Sequence, residues 1–77
     1  MFDYSRLYGK IREVFGTQEA FADAMDMSRS AMNQRLTGAI EWKSPEIVKA
    51  CELLGIPIMM SWMYFFTLKS RENTTEE

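Results

Sequence analysis

The stretch from Thr17 to Gly38, TQEAFADAMDMSRSAMNQRLTG, leaves this chain few ways to fold. Thr17 carries the hydroxyl of a helix N-cap, and Glu19 falls in the first turn, where the helix dipole favours a negative charge. Phe21, Ala24 and Met25 then share one apolar face at i, i+3, i+4 spacing. That period breaks at Asp26-Met27. Ser28 supplies a second N-cap, and Ala31, Met32 and Leu36 resume an apolar stripe in a new phase, closed by Gly38 at the usual C-terminal glycine position. Helices joined this closely cross at a steep angle, which is the geometry of a helix-turn-helix whose second helix projects outward and can enter a DNA major groove. Ala22 is small where the second helix crosses close to the first. Asp26 falls at a turn position that needs a left-handed backbone, which Asp tolerates better than most residues with a Cβ. Arg29, Ser30, Asn33 and Gln34 lie between the apolar anchors, and these side chains suit base edges: Arg pairs in bidentate fashion with guanine, Asn or Gln with adenine.

Composition narrows the functions available. At 77 residues there is room for one domain, and 47% apolar residues with 13% aromatics are enough for a core. One cysteine and no histidine exclude zinc clusters, a disulfide framework and any Ser-His or Cys-His nucleophile. Cys51 reads as a buried packing residue. There is no Gly-rich phosphate loop, the acids are scattered, and a chain this small offers little concave volume, so the reading is a non-enzyme without cofactor or metal. No run of about 18 apolar residues and no signal pattern is present, which reads as a cytoplasmic protein rather than a membrane one. The net charge is −2, yet three of the acids, Glu72, Glu76 and Glu77, fall in the last six positions. The position of charge matters more than the total for binding. Around the helix-turn-helix, Arg29, Arg35 and Lys43 are set against Glu41, a thin basic patch that predicts few phosphate contacts.

In chain order, Asp3 caps a first helix running to Phe15, with Tyr4, Leu7, Tyr8, Ile11, Val14 and Phe15 on its apolar stripe and Gly16 as its end. Gly9 is unusual inside a helix, where it costs about 1 kcal/mol relative to Ala. Arg6, Lys10 and Arg12 read as solvated scaffold charges. Ser44-Pro45-Glu46 starts a later helix, with Ser44 as N-cap, and Ile47, Val48, Cys51 and Leu54 face inward up to Gly55. The free N–H groups at its start can hold a phosphate, with Lys43 beside it. Trp42 reads as a core or edge residue. The run from Ile56 to Phe66 is the most apolar stretch; a short fifth helix after Pro57 would place Ile58, Trp62 and Phe65 or Phe66 on the core side. Met59, Met60, Met63 and Tyr64 are then left over, and an exposed Met-rich patch marks an interface. Residues 69–77 have no apolar content to bury and read as a disordered polar tail after a domain spanning residues 1–68.

The Gln18-Glu19 opening, Ala22, the Asp26 turn, Ser28, Met32 and the Leu36-Thr37-Gly38 exit resemble the helix-turn-helix of the phage repressor and Cro family. Phe2-Asp3-Tyr4-Ser5-Arg6-Leu7, Val14-Phe15-Gly16-Thr17-Gln18, Glu52-Leu53-Leu54-Gly55-Ile56-Pro57 and Tyr64-Phe65-Phe66-Thr67 look like short Cro-like proteins of phages and prophages of Gram-positive bacteria. Two departures stand out: Asp26 replaces the usual turn glycine, and Ile58-Met59-Met60 is more apolar than the family pattern. The resemblance implies an all-α, compact five-helix bundle of the lambda-repressor/Cro-like helix-turn-helix type that represses transcription in a lysis-lysogeny switch. It implies double-stranded operator DNA as partner, with Arg29, Ser30, Asn33 and Gln34 reading bases and Gln18, Ser28, Arg35, Lys43 and Ser44 set on phosphates. A homodimer through Ile58, Met59, Met60, Trp62, Met63, Tyr64 and Phe66 would engage half-sites about 34 Å apart. A second reading stays open, in which the chain is a modulator or antirepressor that binds a partner repressor; the acidic charge and the Met-rich patch favour it.

Overall fold

The computed structural model describes residues 2–68. The polar tail, 69–77, lies outside them. Five α-helices, α1 (Ser5–Phe15), α2 (Gln18–Ala24), α3 (Arg29–Leu36), α4 (Ser44–Leu54) and α5 (Ser61–Phe65), with a 3₁₀ turn at Ile58–Met60 before the last, form a compact all-α bundle. No strand occurs among the described residues, and an isolated antiparallel bridge joins Phe2 to Leu68. The Asp3 amide donates to the Thr67 carbonyl at 2.7 Å beside it. This tie holds the two ends of the described chain together.

The helix-turn-helix forms by local chemistry. Thr17 Oγ1 accepts from the Ala20 amide at 3.1 Å and Ser28 Oγ from the Ala31 amide at 3.0 Å, each satisfying an orphan donor at a helix start. Between the helices Asp26 adopts a left-handed backbone with φ 63°, and the Met27 amide reaches back to the Ala22 carbonyl at 2.9 Å. Phe21, Ala22, Met25, Met32 and Leu36 are all buried, so the two short helices share one core with Leu7 and Ile11 of α1. Gly16 and Gly55 close α1 and α4 at positive φ, as their positions predict.

Four expectations change. On α1 Tyr8 and Val14 are exposed, because the buried arc is centred on Tyr4, Leu7 and Ile11 and these two lie at its edges. On α4 Ala50 takes the inward place expected for Val48, which faces solvent. The cap of α4 is Lys43 rather than Ser44: Glu46 Oε1 accepts from the Lys43 amide at 3.0 Å, so Ser44 is the first helical residue. Of the residues expected on the core side of the last segment, Ile58, Trp62 and Phe66 are exposed and Phe65 is buried. Ile58 sits in the 3₁₀ turn, out of phase with α5, so the two do not share an inward face.

A fork of hydrogen bonds ties α3 to α4. Arg35 Nε donates to Glu46 Oε1 at 3.0 Å and Arg35 Nη2 to Glu46 Oε2 at 2.9 Å, while Nη1 donates to the Ala31 carbonyl at 3.0 Å. Both side chains are largely covered, at 13% and 20% exposure. The guanidinium's hydrogen bonds hold the Glu46 carboxyl below its ordinary value of 4.5, and the Lys43 amide adds to the effect.

Two predictions follow from this packing. A Cβ at Gly9 would meet no atom within 4 Å, so nothing inside the chain requires glycine there. Gly9→Ala is therefore expected to raise stability by about 0.5–1 kcal/mol in chemical denaturation, because glycine costs that much in a helix interior. Because the folded-state pKa of Glu46 is depressed, its contribution is present above the unfolded value of 4.5 and is lost as pH falls through the folded pKa. Thermal unfolding across pH 2 to 7 is expected to show a declining Tm below about 4.5 that is flatter in Glu46→Gln. An unchanged acid limb in the variant would remove Glu46 from that dependence.

Candidate functional site

Two surfaces carry the candidate residues, and they differ in chemistry. The first is the outer face of α3. Arg29, Ser30, Asn33 and Gln34 are all exposed there, since the two apolar anchors Met32 and Leu36 occupy the opposite side of this eight-residue helix. Ser28 precedes them with its hydroxyl oxygen already engaged as the cap. Lys43 and Ser44 are exposed at the start of α4, and Gln18 is half-buried as the first residue of α2.

Arg35 stands apart from this group. Its donors engage Glu46 and the Ala31 carbonyl, and the structure places it between α3 and α4 rather than on the open face. Arg29 and Lys43 therefore remain as cations of this surface without an ion pair among the described residues. Exposed Glu19 and Glu41 lie on the same elements and the loop between them. A duplex approaching this face meets little net positive charge. Counterion release, the main source of DNA affinity, scales with the number of phosphates neutralised, so the available electrostatic gain is small.

The second surface is apolar. Met59 is 80% exposed, Trp62 59% and Ile58 54%, with Met60 and Phe66 also exposed and Met63 and Tyr64 half-buried. Phe65 is the anchor that makes this arrangement stable. Its ring is buried and meets Trp42 edge-on at a centroid distance of 5.0 Å. Phe66 meets Phe2 edge-on at 5.7 Å, so the end of α5 rests on the first residues of the chain. Single exposed apolar residues are ordinary, whereas this many on and beside one short helix mark a candidate interaction site.

Sequence reasoning missed two parts of this arrangement. Glu46 was legible only as a helix-start residue, and no local signal marks it as the partner of Arg35. Phe2, Tyr4, Glu41, Trp42, Phe65 and Phe66 line a cavity of about 130 Å³ next to the apolar surface. Trp42 Nε1 is buried there with no hydrogen-bond partner among the described residues. Burial, and after it the Glu41 carboxylate, raises the pKa of the Tyr4 phenol. Burial likewise raises the Cys51 thiol, which lies in the core. Among the described residues no cluster of Cys, Asp and Glu is placed to hold a metal ion, and no single helix is long and apolar enough to cross a membrane.

A family model described as a protein of unknown function (DUF739) matches residues 1–68. Among solved structures, the chain is similar to the solution structure of the modulator of repression (MOR) of the temperate bacteriophage TP901-1 from Lactococcus lactis. The two share 40% identity over 91% of this chain and 95% of that one, with a TM-score of 0.78. No curated protein matches the chain. A phage regulatory setting agrees with the resemblance drawn from the sequence, while the matching family is not described as a Cro-type one.

Proposed function

The chain belongs to the DUF739 family, and on that footing we propose that it is a phage regulator that modulates repression by binding a repressor protein. The observation that carries this reading is the apolar surface around α5, where Ile58, Met59, Trp62 and Phe66 face solvent on a chain too small to cover them itself. The likeness to a modulator of repression over nearly the whole of both chains supports the kind of partner. Burial of such side chains supplies affinity at about 25 cal/mol per Å² of apolar area, and methionines let the surface adapt to the shape it meets. Trp62 is the natural anchor, since an aromatic side chain at the centre of a desolvated patch carries much of the energy of an interface. The mechanism is sequestration: a repressor held on this surface is withdrawn from its operator.

A second reading rests on α3. Its exposed Arg29, Ser30, Asn33 and Gln34 are the side chains that read base edges, and with Gln18, Ser28, Lys43 and Ser44 near phosphates they fit a Cro-like repressor on operator DNA. Bound as a homodimer through the α5 segment, it would span half-sites about 34 Å apart. The pairing of Arg35 with Glu46 and the thin remaining charge favour the protein partner over this one.

One titration separates the two readings. Labelled operator DNA carrying the repressor of the same phage is titrated with the chain and followed by fluorescence anisotropy. The modulator reading predicts release of the repressor, no specific binding by the chain alone, and a loss of about 2 kcal/mol of apparent affinity in Trp62→Ala. Competitor-resistant, salt-sensitive binding by the chain alone, with Arg29→Ala costing about 1–3 kcal/mol and relaxing one base, would instead establish direct DNA reading.

A further inference from the structure

The cavity between the first residues of the chain, the loop before α4 and the end of α5 adjoins the apolar surface through Phe66, yet its chemistry differs. Phe2, Tyr4, Trp42, Phe65 and Phe66 supply aromatic walls, and Glu41 is the one charged side chain lining it. Neighbouring rings stand at steep angles: 5.0 Å and 75° for Trp42 with Phe65, 5.7 Å and 90° for Phe2 with Phe66, 6.4 Å and 60° for Phe2 with Tyr4. Rings set this way bound a corner with a face of each, and the negative quadrupole of an aromatic face attracts a cation.

Glu41 decides what can enter. It is exposed and takes part in neither ion pair of the described residues. Its charge is felt inside the cavity, since after burial it is the second cause that raises the Tyr4 phenol above its ordinary value of 10.0. An apolar occupant would cover this carboxylate without matching it, a desolvation cost that a cation offsets. The cavity holds about 130 Å³, well below the roughly 300–1,000 Å³ of sites that enclose a free small molecule, so it suits the end of one side chain. Of the two cationic side chains, arginine fits these walls better. Its guanidinium is planar, lies on an aromatic face, forks onto a carboxylate, and is more weakly hydrated than an ammonium, so it loses less on leaving water.

We propose that this cavity receives an arginine side chain of the protein partner, held between the aromatic rings and the Glu41 carboxylate. The partner is the repressor of the proposed function, on which this assignment rests. The cavity adds a directional contact beside the apolar one: Trp62 and its neighbours supply affinity through area, and the cavity selects a partner with an arginine at the matching place.

An NMR titration of the isotopically labelled chain with N-acetyl-arginine amide, N-acetyl-lysine amide and the neutral N-acetyl-citrulline amide tests the cavity without the partner. Saturable shifts of the Trp42 indole N–H and the Tyr4 ring are expected with the arginine derivative, weaker ones with the lysine derivative and none with citrulline. They are expected to vanish in Glu41→Gln, an exposed substitution that leaves the fold intact, and to weaken in Phe2→Leu, which keeps an apolar wall but removes a ring and whose fold is checked by circular dichroism. In the complex with the repressor of the same phage, Glu41→Gln is expected to weaken binding about tenfold, with the difference narrowing at high salt. No saturable shift with the arginine derivative, or equal shifts with the lysine or citrulline one, overturns the proposal. So does a repressor that binds Glu41→Gln as tightly as the wild-type chain; continued loss on Trp62→Ala then leaves the modulator reading standing. A repressor that binds none of these chains overturns the modulator reading and with it the proposed partner, even where the arginine derivative binds.

Discussion

The placement of α3 depends on the fork between Arg35 and Glu46. An eight-residue helix is not stable in isolation, and α3 buries only Met32 and Leu36. Two apolar anchors near one line fix the distance of a helix from the core but leave its rotation and end poorly defined. The bidentate pair supplies the missing constraint, because a planar guanidinium and a carboxylate meet in one orientation. Glu46 is itself held, since the same Oε1 accepts the Lys43 amide at the start of α4. One carboxylate therefore caps one helix and orients another. Losing either partner leaves a largely covered charge unmatched, which costs more than the pair contributes relative to apolar residues of similar size.

This arrangement has a consequence for function. Arg35 sits in the last turn of the helix that a DNA reader would lay in the groove, and its side chain points to the protein instead. The face left open is polar but nearly neutral, whereas the α5 surface is apolar and large for the chain. Phe65 explains why the second surface persists in the folded chain. One buried ring, packed on Trp42, anchors a five-residue helix whose other large side chains gain nothing by turning inward. The bridge between Phe2 and Leu68 then fixes the end of that helix against the start of α1. Under the proposed function, the structural pair and the apolar surface are complementary features: one holds a helix-turn-helix frame rigid, the other presents a docking surface beside it.

The legible parts of the fold were those that local chemistry decides. Thr17 and Ser28 cap their helices, and Asp26 takes the left-handed turn, because each depends on a side chain's reach to its own backbone within a few residues. What needed the assembled molecule was of another kind. Val48 and Ala50 are both apolar and close in sequence, so periodicity admits either as the inward residue until neighbouring helices are in place. From Ile56 to Phe66 nearly every residue is apolar, and a segment without polar positions has no phase from which to read an inward face. Arg35 and Glu46 are eleven positions apart on different helices, beyond any local signal. The Cro-like reading rests on the helix-turn-helix and on the segments flanking it, such as Phe2–Leu7 and Tyr64–Thr67, which build a frame that proteins with different tasks share, and a frame does not determine what its surfaces bind.

Under the proposed function a repressor docks on the apolar surface around α5, and the chain does not read DNA through α3. The most direct measurement is an NMR titration of the isotopically labelled chain with the unlabelled DNA-binding domain of the repressor from the same phage, following backbone amides and the two indole N–H signals. Saturable shifts are expected to concentrate at Ile58, Met59, Trp62 and Phe66, with small changes at Arg29, Ser30, Asn33 and Gln34. Shifts confined to α3, or no shifts with the repressor and strong ones at α3 with operator DNA, would contradict it.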